Sequence, residues 1–168
     1  MTPLSQRFDV PLFAYGSSLS VAQMTERKVR WDEGRVEKAA LLNYAIIFRG
    51  VSTRAEYLRG GLADVESDPG AKVHGVVFWT DGDLRNLDVA EGVFKPHPIG
   101  CRRIQVAVCS GTGVVAAQTY VRKDKGSPNP PHEAYLQKIV EGARSFRLSE
   151  EWIMEIQKVA ERAAAEPQ

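Results

Sequence analysis

Phe13-Ala14-Tyr15-Gly16-Ser17-Ser18-Leu19 reads as the end of a strand, a tight Gly-Ser-Ser turn and the start of a short helical segment. A strand that enters a helix through such a turn leaves several backbone N–H groups without partners and aims them at one place. Together with the positive end of the helix dipole, those donors suit a carboxylate, a phosphate or a developing oxyanion. The same residues also fit an ordinary strand-to-helix connection with a serine as N-cap.

Further along, Leu84-Arg85-Asn86-Leu87-Asp88-Val89-Ala90-Glu91-Gly92 has the marks of a short helix. Asp81 and Asp83 offer N-cap oxygens and Gly92 offers a C-terminal stop. Leu84, Leu87 and Glu91 fall at i, i+3 and i+7, which puts a carboxylate on the apolar face in the last turn. Burial and the negative end of the helix dipole both raise a carboxyl pKa, as a proton shuttle requires. A solvated glutamate at a frayed helix end has the same spacing.

The rest of the chain alternates β-branched runs with Gly and Pro punctuation. Strands are expected over residues 10–15, 38–49, 61–65, 73–79, 101–109 and 114–122, with a first helix inside 20–30. Gly111-Thr112-Gly113-Val114-Val115-Ala116 fits the dinucleotide fingerprint G-x-G-x-x-A, but a β-type run follows where that fingerprint needs a helix. The triplet is therefore expected to be a hairpin turn, and no nicotinamide or flavin cofactor is assigned. The basic stretch 122–131 reads as a solvated connector in preference to a lid. Two amphipathic helices close the chain, one with Tyr135, Leu136, Ile139, Val140 and Ala143 as its stripe, the other with Trp152, Ile153, Ile156, Val159 and Ala160. Residues 162–168 are expected to fray.

Composition narrows the function classes. The 168 residues suit one domain, with a core over about 10–160. Lys+Arg number 22 and Asp+Glu 21, so no net field points to nucleic acid or to an acidic lipid surface. No apolar run approaches the ~20 residues of a membrane span, and the N-terminal ten residues lack a basic start and an apolar leader. A cytoplasmic setting is expected. Cys101 and Cys109, eight residues apart on one strand, would stand roughly 26 Å apart, beyond disulfide reach. His74, His97 and His132 are scattered, and no metal site is assigned.

Taken in order, these segments resemble the gamma-glutamylcyclotransferase family, within the gamma-glutamyl cyclotransferase-like or AIG2-like superfamily. Tyr15 to Leu19 matches the family turn Y-G-S-N-L, with Ser18 in place of Asn; Leu87, Asp88, Glu91 and Gly92 match L-D-x-x-E-G. Gly60-Gly61-Leu62-Ala63-Asp64, the run Pro69 to Val77, Gln118-Thr119-Tyr120 and Pro130-Pro131 with Tyr135 resemble further family elements in the same order. The resemblance implies an α+β fold, a small mixed β-barrel flanked by helices, with the site at one barrel end. It implies a small-molecule gamma-glutamyl substrate held by Phe13, Ala14, Tyr15, Gly16, Ser17, Ser18, Leu19 and Tyr135, and Glu91 as the proton shuttle. The alpha-amine would attack the gamma-carbonyl to give 5-oxoproline and a free amine or amino acid, with no cofactor. A homodimer stays open.

The chain also departs from the family. Besides Ser18, Cys101 stands where many relatives have Tyr, and Phe94-Lys95-Pro96-His97-Pro98 is a stiff, proline-bounded segment. The turn differs from the glutathione-specific branch as well, which favours other gamma-glutamyl compounds. Two alternatives remain. One is a serine-type amide hydrolase with His97 beside Ser17 or Ser18; the other is a non-catalytic binder of a gamma-glutamyl or acidic amino-acid ligand.

Overall fold

Leu12, Phe13 and Ala14 are buried in succession, the mark of a strand covered on both faces. In the computed structural model, which describes residues 7–165, they belong to β1 (Val10–Ala14), antiparallel to β3 (Leu62–Thr80) and parallel to β5 (Gly113–Arg122). With β2 (Trp31–Arg49) and β4 (Cys101–Ser110), these strands close into a barrel in the order β1-β3-β2-β4-β5. Closure removes the free sheet edges. Flanking it are α1 (Val21–Glu26), α2 (Arg85–Ala90), α3 (Glu133–Ser145) and α4 (Glu150–Ala165). The expected α+β barrel with flanking helices is the fold observed. Most of the stretch read for a leader, residues 1–6, and the end of the expected frayed tail, 166–168, lie outside the described residues.

Two expectations about strands need correction. The runs 61–65 and 73–79 are one strand, β3, paired along the whole of β2. Pro69-Gly70 reads as a break, yet it sits in a bulge where the register jumps from Leu42↔Lys72 to Tyr44↔Ser67. Asn43 holds the bulge, its Oδ1 accepting from the Gly70 N–H at 3.1 Å. β2 also begins at Trp31, well before residue 38, because its first residues pair with the end of β3. The Gly111-Thr112 turn links β4 to β5 as expected.

The helical stripes pack as read, with Ile139, Val140 and Ala143 of α3 and Trp152, Ile153 and Ile156 of α4 buried. They join Phe13, Phe48 and Phe78 in the core. The chain from 162 to 165 is helical and buries Ala163, so it is not frayed. The connector after β5 is not merely solvated. Lys125 pairs with the fully buried Asp64 at 3.1 Å, and Lys123 Nζ donates to the carbonyls of Gly92, Val93 and Lys95 at 3.1, 2.9 and 2.7 Å.

α2 has only six residues, so its position depends on its ends. Its N-cap is Leu84, with no side-chain cap; the expected cap from Asp83 reaches only the Arg85 N–H, at 3.4 Å. Its C-terminus is tighter. Gly92 (φ +73°) donates to the Val89 carbonyl and Val93 to the Asp88 carbonyl, the paired bonds of a Schellman motif. Gly100 (φ +80°) then lies so close that a Cβ there would collide with the Gly92 carbonyl, and the Cys101 N–H donates to the Glu91 carbonyl at 2.8 Å. The loop between Glu91 and Cys101 is pinched shut at its base.

Side chains bind the same helix to the β4–β5 hairpin. Asp88 Oδ1 accepts from the Tyr120 hydroxyl at 2.6 Å and pairs with Arg103 Nε at 3.2 Å. Arg103 and Tyr120 are cross-strand partners and so share one face of the hairpin. Tyr120→Phe removes a buried bond to a charged acceptor and should cost about 1.5–3 kcal/mol. Urea denaturation measures it; a loss below about 0.5 kcal/mol, well under that range, would mean the bond does not anchor α2.

Candidate active site

Glu91 follows the last residue of α2 and is its C-cap. Leu84 and Leu87 face the core as read, while the Glu91 side chain keeps 19% of its exposure. That exposure faces a cavity of about 790 Å³, whose walls include Ser17, Arg27, Tyr57, Glu91, Cys101, Arg122 and Tyr135. Glu91 Oε1 accepts from Arg27 Nη1 at 3.0 Å. Burial raises the Glu91 pKa from its ordinary value, and the charge of Arg27, with the neighbouring Cys101 thiol, opposes that rise in part. Burial, followed by the neighbouring Glu91 charge, pushes the Cys101 thiol up to about 12.

Tyr135, at the start of α3, reaches the same cavity. Its hydroxyl oxygen accepts from the Ala63 N–H at 3.0 Å, tying α3 to β3. Burial raises its pKa, so the neutral phenol keeps a proton to donate. The turn contributes Ser17. Residues Ser17–Leu19 form a single 3-10 turn, and the N–H groups of Ser17 and Ser18 head it without partners inside it. Gly16 is close-packed: a Cβ there would stand 3.2 Å from the Ala63 Cβ.

The structure thus brings Glu91, Ser17 and Tyr135 to one cavity. Phe13, Ala14 and Leu19 lie in the core, because the strand and turn are covered on both sides. Tyr15 is buried behind the site, its hydroxyl donating to the Tyr120 carbonyl at 2.7 Å. Gly16 and Ser18 flank Ser17 but are not among the lining residues. The hydrolase alternative has no geometry behind it: Ser17 Oγ accepts from Gln23 Nε2 at 3.1 Å, and His97 is exposed and does not line the cavity. Among the described residues no group of three or more His, Cys, Asp or Glu is placed to hold a metal ion.

Arg27, Gln23 and Arg122 escaped the sequence reading. Arg27 meets a carboxylate 64 positions away, a distance over which periodicity carries no signal. Gln23 braces the turn where the family has Asn at the position of Ser18, and it accepts in turn from Lys138 Nζ at 3.2 Å. A second concavity, of about 600 Å³, lies between α4 and the β2–β3 ribbon; it holds none of the expected site residues.

The model of the AIG2-like family matches residues 72–156, from the second half of β3 to the middle of α4 and across Glu91. The chain belongs to the AIG2-like family. Its fold is similar to that of loc79017, an uncharacterised human protein, with a TM-score of 0.72, 26% identity, and 88% of this chain and 86% of that one covered. A gamma-glutamyl cyclotransferase has a TM-score of 0.74 at 22% identity, with 94% and 99% covered. A yeast gamma-glutamyl cyclotransferase specific to glutathione is further off, at 0.62 and 12% identity, with 92% and 96% covered. No curated protein matches the sequence.

Two measurements check the electrostatics without reference to any reaction. Arg27 favours the charged form of Glu91, so Arg27→Met should move the Glu91 carboxyl titration to higher pH by carbon-13 NMR; an unchanged or lower midpoint would refute the pairing. With Cys101 held at about 12, only ~10⁻⁴ of it is thiolate at pH 8. Iodoacetamide should label the partly exposed Cys109 and spare Cys101 by peptide mass spectrometry; prompt labelling of Cys101 would contradict its environment.

Proposed function

We propose that the protein is a gamma-glutamyl cyclotransferase, converting a gamma-glutamyl amide or dipeptide to 5-oxoproline and a free amine or amino acid. The observation that carries this reading is the partly buried Glu91 carboxylate, with its raised pKa, opening on a cavity shared with Ser17 and Tyr135. Membership of the AIG2-like family and the fold shared with a gamma-glutamyl cyclotransferase support it.

The substrate carries its own nucleophile. The alpha-amine nitrogen bonds to the gamma-carbonyl carbon and the amide C–N bond breaks, closing a five-membered lactam. Two protons leave the alpha-ammonium as it becomes the ring N–H, and two reach the leaving nitrogen, which departs as an ammonium. Glu91 takes protons from the first nitrogen and passes them to the second, so it must begin ionised. Arg27 favours that ionised form, while burial keeps the carboxyl basic enough to accept. Holding the chain folded for ring closure gains from proximity, with effective molarities of about 10⁵–10⁸ M. The Ser17 amide and the Tyr135 hydroxyl are the donors for the glutamyl carboxylate or the developing oxyanion.

Glu91→Gln preserves shape and the contact with Arg27 but cannot carry a proton. With gamma-glutamyl amides as substrates and 5-oxoproline as the readout, kcat should fall by about 10²–10⁴ while circular dichroism stays unchanged. A folded variant retaining more than roughly a third of the wild-type rate, far above that range, would remove Glu91 from the mechanism. Binding without any 5-oxoproline from the wild type would favour the non-catalytic binder.

A further inference from the structure

The end of β5 carries a guanidinium with no ion-pair partner among the described residues. Arg122 keeps 6% of its exposure, its Nε has no hydrogen-bond partner, and among the described residues no carboxylate stands at ion-pair distance from its guanidinium. Arg49, buried to a similar degree, differs: its Nε lies 3.1 Å from Asp64 Oδ2, although off the N–H axis, and its Nη2 lies 3.2 Å from Glu66. An unpaired buried charge is strongly unfavourable unless something in the functional state pairs with it.

Arg122 points into the site. It stands directly across from Cys101 in the β4–β5 register, so the two side chains share a face, and Cys101 lines the same cavity as Glu91. Arg122 lines the cavity, with room left for its guanidinium by Gly50, where a Cβ would stand 2.8 Å from Nη2. Arg59 and Lys95 add positive charge to the lining against Asp124, while Arg27 is paired with Glu91 and Arg54 lies 4.0 Å from Glu56. A gamma-glutamyl derivative of a simple amine has one carboxylate and one ammonium and brings no net charge. A gamma-glutamyl amino acid has a second carboxylate, and its net negative charge matches the lining. A guanidinium fork also fits a carboxylate bidentately.

We infer that Arg122 is a specificity-determining residue that binds a carboxylate on the leaving-amine side of the substrate. The inference rests on the cyclotransferase reading and selects among its substrates.

The test compares gamma-glutamyl-L-alanine with gamma-glutamylethylamide, which lacks that carboxylate. Wild-type protein should favour the alanine compound in kcat/KM by about 10- to 100-fold, the effect of one charge-assisted pair. Arg122→Met should bring the two within about 3-fold by raising KM for the alanine compound alone, and Arg122→Lys should keep part of the preference. Equal use of both compounds by wild type overturns the proposal, and this holds even where the Met variant does not fold. An equal loss on both compounds in a folded variant overturns it too, placing Arg122 on the glutamyl side. If neither compound yields 5-oxoproline, the cyclotransferase reading has failed, and calorimetric binding of the same two compounds decides the anchor. Tighter binding of the alanine compound that Arg122→Met abolishes sustains the anchor, and equal binding removes it.

Discussion

The Asp88 carboxylate, held by the Tyr120 hydroxyl and the Arg103 guanidinium, seats a two-turn helix on the face of the β4–β5 hairpin. A helix of six residues has little stability of its own, so its orientation must come from tertiary contacts. Asp88 and Glu91 are three positions apart and point the same way. Once Asp88 is fixed between Tyr120 and Arg103, Glu91 falls towards Cys101 and its partner Arg122, the next pair along the same hairpin face, and shares a cavity with both. The Schellman turn at Gly92, the bond from the Cys101 amide to the Glu91 carbonyl and the Lys123 ammonium on three loop carbonyls prevent the helix end from unwinding.

Two opposed forces set the state of Glu91. Burial favours the neutral acid; Arg27, the Cys101 thiol and the more distant Arg54 and Arg122 favour the carboxylate. The balance stays on the side of a raised pKa, which leaves a carboxylate basic enough to accept a proton without losing its charge partner. Asp64 has a different part in the fold: it is fully buried, and Arg49, Lys125 and the backbone N–H of Arg122 surround it in a structural ion cluster at the barrel end.

The departures from the family pattern acquire physical meaning in this setting. Cys101 is a smaller wall residue beside Glu91, whose charge helps to keep the thiol protonated. Ser18 does not brace its turn; Gln23 does so from α1, linked onward to Lys138 of α3. The turn thereby joins three elements with polar bonds, while Leu19 secures it from the apolar side.

The sequence by itself determined what is local: the strand and turn at Phe13 to Leu19, the helix ending at Glu91, the hairpin at Gly111-Thr112 and the apolar stripes of α3 and α4. Each of these follows from periodicity or turn chemistry within a dozen residues. It was misleading where a local break signal was absorbed by pairing, as at Pro69-Gly70, whose bulge is held by Asn43 of the neighbouring strand. Only the tertiary structure decided which members of the Phe13–Leu19 stretch face the cavity, since burial on both sides of a strand depends on neighbours that arrive from β3, β5 and α3. The partners of Glu91 were decided there too. Arg27, Cys101 and Arg122 come from three separate segments, and barrel closure is what brings their charges and dipoles to one carboxylate.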